Sequence, residues 1–93
     1  DETTFLEVFD GVPQAEISRS ELEGGLDMIG ALAAKTGFLG SNGGARRELK
    51  QNSISVNQEK IKEDYLITPS DLINDKFVLL QRGKKNYFVL VVE

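Results

Sequence analysis

Apolar positions recur at two different spacings along this chain, and the switches between them divide it into elements. Phe5, Leu6 and Phe9 have helical spacing, but Gly11 and Pro13 end any helix there early. Gln14 to Ser18 alternates weakly, with Ala15 and Ile17 apolar, and predicts a short edge strand. Ser20-Glu21-Leu22-Glu23 has the form of a capping box, in which a hydroxyl and a carboxylate satisfy free amides at a helix start. Leu22, Leu26, Ile29, Ala33 and Thr36 then fall every three or four residues and predict one helix over about 20–36, closed by Gly37. The pair Gly24-Gly25 inside it costs roughly 1 kcal/mol per glycine relative to alanine, so packing has to hold that helix together.

A second helix is predicted over about 41–52, with Ser41 as its N-cap and Ala45 and Leu49 facing inward. At about 100° per residue, Arg46, Arg47 and Lys50 share the opposite face. The period then drops to two. Ser53-Ile54-Ser55-Val56 alternates, Asn57-Gln58 turns, and Glu59-Lys60-Ile61 returns, giving a hairpin near 53–61. Thr68-Pro69-Ser70-Asp71 and Asn74-Asp75 are turn chemistry. A second hairpin near 76–92 joins Phe77-Val78-Leu79-Leu80 to Tyr87–Val92 through Arg82-Gly83-Lys84-Lys85. Its strands are apolar on both faces, so they are expected to lie beneath the two helices, with Phe77, Tyr87 and Phe88 in the core. The expected fold class is α+β: two short helices on a small antiparallel sheet.

Composition narrows the function. The 93 residues, 40% hydrophobic with five Phe, support one modest core. No apolar run approaches the ~20 residues that span a bilayer, and no signal peptide opens the chain, so no membrane role is expected. With no Cys and no His, the usual thiolate and imidazole metal ligands and the commonest general base are missing; no catalytic residue, metal site or bound cofactor is expected. Asp71 and Glu59 are acids without a constellation around them, and read as solvated surface groups. The chain begins at Asp1 and its one Met is Met28, which reads as an excised piece of a larger protein.

Charge is where the pattern becomes informative. The net value of −4 argues against nucleic acid, but residues 1–30 hold eight acids against Arg19 alone. Residues 31–62 reverse this: Lys35, Arg46, Arg47, Lys50, Lys60 and Lys62 face only Glu48 and Glu59. A basic middle in an acidic chain creates a local field for a polyanion. The alternatives are chance clustering on a small surface, or an acidic protein-interaction module working through the N-terminal third. Gly40, Gly43 and Gly44 lack the spacing and the following Lys-Ser/Thr of a phosphate-cradling P-loop, although glycines at a helix start let backbone amides approach a phosphate. Basic side chains followed by Gln51 and Asn52, with few exposed aromatics, favour RNA contact through backbone and shape rather than base stacking.

The stretch Thr36 to Ile61 resembles the α-L motif of ribosomal-protein-S-four-like RNA-binding domains, with Ser41, Ala45, Arg46, Arg47, Leu49, Val56 and Asn57 at the motif positions. The tail Lys76 to Tyr87, with its Arg-Gly-Lys-Lys-Asn-Tyr turn, resembles the C-terminal end of bacterial tyrosyl-tRNA synthetases, and Phe9-Asp10-Gly11-Val12-Pro13 is similar to their connector into that domain. Two positions depart from the pattern: Gly44 stands where an acid commonly completes the cap with Ser41, and Gln58 replaces the hairpin glycine.

The resemblance implies a connector over 1–18 and an RNA-binding domain over 19–93, cut from a cytoplasmic tyrosine–tRNA ligase. The parent is expected to be a homodimer using ATP with Mg, and this piece a monomer that grips tRNA, specifically tRNA(Tyr). Arg46, Arg47 and Lys50 are the expected phosphate contacts, and Ser41 and Asn42 the helix-terminus contacts. Gln51 and Asn52 are expected at sugars or base edges, with Lys84 and Lys85 as a flanking contact or a solvated hairpin tip. A pseudouridine synthase or a ribosome-associated factor is the alternative within the wider S-four-like group, and the Gly83-to-Tyr87 tail argues against it.

Overall fold

The computed structural model describes residues 11–34, 36–84 and 86–93; Phe5, Leu6, Phe9, Asp10, Lys35 and the site candidate Lys85 lie outside the described residues. The class is α+β. Among the described residues seven strands form, β1 (Gln14–Ile17), β2 (Leu26–Asp27), β3 (Ile54–Val56), β4 (Glu59–Lys60), β5 (Leu66–Ile67), β6 (Phe77–Arg82) and β7 (Asn86–Val92). The described residues also form two α-helices, α1 (Ser20–Glu23) and α2 (Asn42–Lys50), with a π-helical turn over Gly30–Ala34 between them and a 3-10 turn over Pro69–Asp71 after β5. Five strands make one sheet in the order β1-β7-β6-β3-β4, and β2 pairs with β5 in a separate ribbon.

Both predicted hairpins form. β3 and β4 pair with Val56 opposite Glu59, and β6 and β7 pair over six positions from Phe77–Val91 to Arg82–Asn86. The predicted edge strand is β1, but it runs parallel to β7, with Gln14 opposite Val89 and Ile17 opposite Val92. The sheet is therefore mixed rather than purely antiparallel. A chain that enters alongside the last strand in the same direction needs a crossover before the hairpins, and the helical segments supply it.

The helix expected over 20–36 is broken. α1 ends at Glu23, Gly25 takes φ +88°, and Leu26–Asp27 pairs with Leu66–Ile67 as a strand. Two adjacent glycines remove helix propensity where the chain has an alternative, and a pair of ladder bonds takes their place. The break also shifts the buried register: Leu22 and Leu26 are in the core as predicted, but beyond them it is Met28, Ala31 and Leu32 that are buried, while Ile29, Ala33 and Thr36 are half-buried. The capping box at Ser20 does not form either. It is the Ser18 N–H that donates to the Glu21 carboxylate, at 3.1 Å, two residues earlier. Gly37 does take φ +71° and its N–H donates to Ala33 O at 2.8 Å, closing the segment as expected.

The core has two parts because β6 and β7 are apolar on both faces. Val78, Leu80, Phe88 and Leu90 join Leu22, Met28, Leu32 and Leu49 on the helical side. Phe77, Leu79 and Val89 form a second cluster on the other side, under Val12, Ile73, Tyr87 and Val91 rather than under a helix. Only one face of the hairpin thus lies beneath the helices, which corrects the expectation for both. Ser55 and Gln81, which continue that second face beyond Leu79, line the groove of the candidate site.

Candidate nucleic-acid interface

The sequence Leu39-Gly40-Ser41 turns the chain sharply before α2. Gly40 is at φ +79°, the Leu39 N–H donates to Leu32 O at 2.9 Å, and Ser41 is extended. The Ser41 hydroxyl accepts from the Gly44 N–H at 3.0 Å, a cap worth about 1 kcal/mol. Ser41, Asn42 and Gly43 are all exposed, so the amide end of the helix faces solvent. The missing acid at position 44 is explained locally: a Cβ on Gly44 would come within 3.0 Å of Leu39 O and 3.2 Å of Ser41 Oγ. The tight turn leaves little room for a side chain there, and the cap forms without it.

Buried Ala45 and Leu49 tie α2 to the core and turn Arg46, Arg47 and Lys50 outward, all three exposed. Spacings of three and four residues bring these cations side by side on one helical face. Among the described residues none of the three has an ion pair, in contrast to Arg19, which meets Asp75 at 2.6 Å. Glu48, the one acid on α2, accepts the Ser53 hydroxyl at 2.7 Å. The cationic face is thus free to meet a ligand.

At its far end this face runs into a groove of about 520 Å³. Gln51, Asn52 and Ser53 line one wall, Ser55, Gln58 and Lys60 of the β3–β4 hairpin another, and Gln81, Gly83 and Lys84 the third. Asn52 reverses the chain at φ +58°, and the Lys60 ammonium donates to Asn52 O at 3.0 Å. A cation there opposes the negative end of the α2 dipole, which otherwise repels a phosphate. The Gly83 N–H donates to Ser53 O at 2.8 Å and locks the β6–β7 turn against the exit of α2. None of the described lining residues is acidic.

The described candidate residues of the sequence therefore fall along α2 and in the groove that follows it. Arg46, Arg47 and Lys50 supply its cationic face, Gln51, Asn52 and Lys84 its groove, and Ser41 and Asn42 stand at the opposite end of the nine-residue helix, roughly 13 Å away at 1.5 Å per residue. Sequence reasoning missed Ser55, Gln58 and Gln81 as groove residues and counted Lys60 only in the basic middle of the chain. The signal was strand register: Lys60, Ser55 and Gln81 are successive cross-strand partners, hence one polar row on one face.

A second cavity of about 570 Å³ beside β4 has Glu59, Asp64 and Asp71 among its walls together with Lys60 and Lys62, a mixed charge that does not select anions. Asp71 has a structural task in it. Its carboxylate accepts the Thr68 N–H at 3.0 Å and the Tyr65 hydroxyl at 2.5 Å. Burial, then that bond, then the nearby charges of Asp71 and Glu59 push the Tyr65 phenol up to about 12. No helix among the described residues is long and apolar enough to cross a membrane, and none of their His, Cys, Asp and Glu side chains cluster to hold a metal.

Residues 4–90 match the family model described as tyrosine–tRNA ligase SYY-like C-terminal domain. The chain is 68% identical over 92 residues to a tyrosine–tRNA ligase of Flavobacterium johnsoniae, covering 99% of this chain and 21% of that protein. It is 59% identical over 93 residues to the enzyme of that name from Flavobacterium psychrophilum, and 42% identical over 94 residues to that from Parabacteroides distasonis, in each case covering all of this chain and 22% of the relative. The chain thus spans about one fifth of the length of the curated relatives it matches. With nearly its whole length matched, this chain belongs to the family of tyrosine–tRNA ligase SYY-like C-terminal domains.

Proposed function

We propose that this chain is the tRNA-gripping module of a tyrosine–tRNA ligase, holding tRNA(Tyr) by phosphate and shape contacts while another part of the protein activates tyrosine. The observation that carries the reading is the exposed cations of α2, whose last residue Lys50 directly precedes a groove with amides, hydroxyls and two lysines but no acid in its described walls. In a chain of net charge −4 such a surface selects a polyanion locally. Arg46, Arg47 and Lys50 neutralise phosphates, Ser41 and Asn42 present the helix terminus, and Gln51, Asn52 and Lys84 make the polar and flanking contacts, with Lys85 beside them in sequence.

Residues 1–18 act in this reading as the connector, tied to the sheet through β1, and 19–93 as the RNA-binding domain. The parent is a cytoplasmic homodimer that uses ATP with Mg outside this chain, and the isolated chain is a monomer. Family membership supports that assignment, because the relatives that carry this domain are named tyrosine–tRNA ligases. Replacing Arg46→Glu together with Arg47→Glu tests the site. Both residues are exposed, so circular dichroism and the thermal midpoint are expected to stay near wild type. Gel-shift binding of a tRNA(Tyr) transcript at low salt is expected to be lost; unchanged binding would remove α2 from the interface.

A further inference from the structure

Ser55 is unlike every other described residue of the core. It is 5% exposed and is the one polar side chain among the buried residues. Its hydroxyl has no hydrogen-bond partner among the described residues, yet no described buried polar atom is left fully enclosed and unsatisfied, so the oxygen reaches the groove it lines. A buried strand position that keeps a hydroxyl without an internal partner forgoes the packing of Ala or Val, and a ligand able to donate and accept at once would satisfy it.

The surroundings define what that ligand is. Ser55 is the middle member of the cross-strand row, opposite Lys60 on β4 and Gln81 on β6. Gln81 Nε2 is engaged by Gly83 O at 2.9 Å, which points its amide and leaves the carbonyl oxygen over. Gln58 stands exposed at the groove rim, and Lys60 and Lys84 lie on its hairpin walls. No described lining residue is aromatic, so the groove offers no platform on which a base would stack. What remains is a small donor–acceptor site with cations beside it. A ribose 2′-hydroxyl between its phosphates has that chemistry, and it is the group that distinguishes RNA from DNA.

We propose that the groove is a ribose subsite in which Ser55 Oγ, aided by the Gln81 amide, hydrogen-bonds a 2′-hydroxyl while Lys60 and Lys84 meet the neighbouring phosphates. This rests on the RNA reading above and goes beyond it by separating sugar recognition at the sheet end from phosphate neutralisation on α2. The test measures affinity by fluorescence anisotropy for a tRNA(Tyr) transcript and for the same sequence made as DNA, using the wild-type chain and Ser55→Ala. Alanine fills nearly the same volume, and a thermal melt checks that the fold is kept.

The wild type is expected to prefer RNA. Ser55→Ala is expected to weaken RNA binding roughly three- to tenfold, the range for one net hydrogen bond, while DNA binding holds. The salt dependence is expected to stay the same, since no charge is removed. Equal losses on RNA and DNA, or no loss on RNA, would overturn the ribose subsite while leaving the RNA reading standing. Binding of neither nucleic acid at low salt would overturn the RNA reading and the subsite with it.

Discussion

At the scale of single residues, the positions that hold the site in shape are polar groups with more than one task. Asn57 sits at φ +52° in the β3–β4 turn; its amide donates to Asp71 O, and its carbonyl oxygen accepts the Leu79 N–H at 2.9 Å. It thereby clamps the hairpin to both β6 and the 3-10 turn. Gln58 follows at φ +72°, so the turn takes the type I′ form without the glycine that form favours, at a strain of roughly 1 kcal/mol. Tyr65 is tied to the same residue of the 3-10 turn, its hydroxyl donating to the Asp71 carboxylate. Because its folded-state pKa of about 12 lies above the ordinary 10.0, its contribution to stability is intact below pH 10 and is lost as pH rises through about 12. Urea unfolding of the wild type and Tyr65→Phe across that window is expected to show the wild type losing stability faster. Parallel curves would mean the phenol carries no such linkage.

At the scale of elements, the two glycines before β2 separate what could be read from the sequence from what could not. Gly25 at φ +88° has Leu66 Cδ1 3.0 Å from where a Cβ would sit, whereas Gly24 has nothing within 4 Å. Gly25→Ala is therefore expected to destabilise the chain by about 1–2 kcal/mol and Gly24→Ala to leave it nearly unchanged, as measured by chemical denaturation. A continuous helix would instead gain roughly 1 kcal/mol from each. Helix α2 and both hairpins were legible because their signals are local: Ser41 caps, Ala45 and Leu49 anchor, and the apolar alternation stops at Asn57-Gln58 and at Gly83. The broken helix was not, because Leu22 and Leu26 fit a helical stripe as well as they fit a turn followed by a strand. Only Leu66–Ile67, forty residues away, decides between them. The cations of α2 were legible for the same local reason, whereas Ser55, Gln58 and Gln81 come to line one groove only through the register of three strands.

At the scale of the whole molecule, the proposed function asks an acidic chain to meet a polyanion through the exposed cations of α2 and the groove where the hairpin turns meet. The most direct test of that claim is the slope of log affinity against log salt for a tRNA(Tyr) transcript. The wild type is expected to give a straight line of negative slope, as counterions leave the phosphates it covers. Replacing Arg46, Arg47 and Lys50 together by Ala is expected to reduce the magnitude of that slope by about two to three, one for each phosphate contact removed. A slope unchanged by the triple replacement would contradict the account, since the affinity would then come from some other surface.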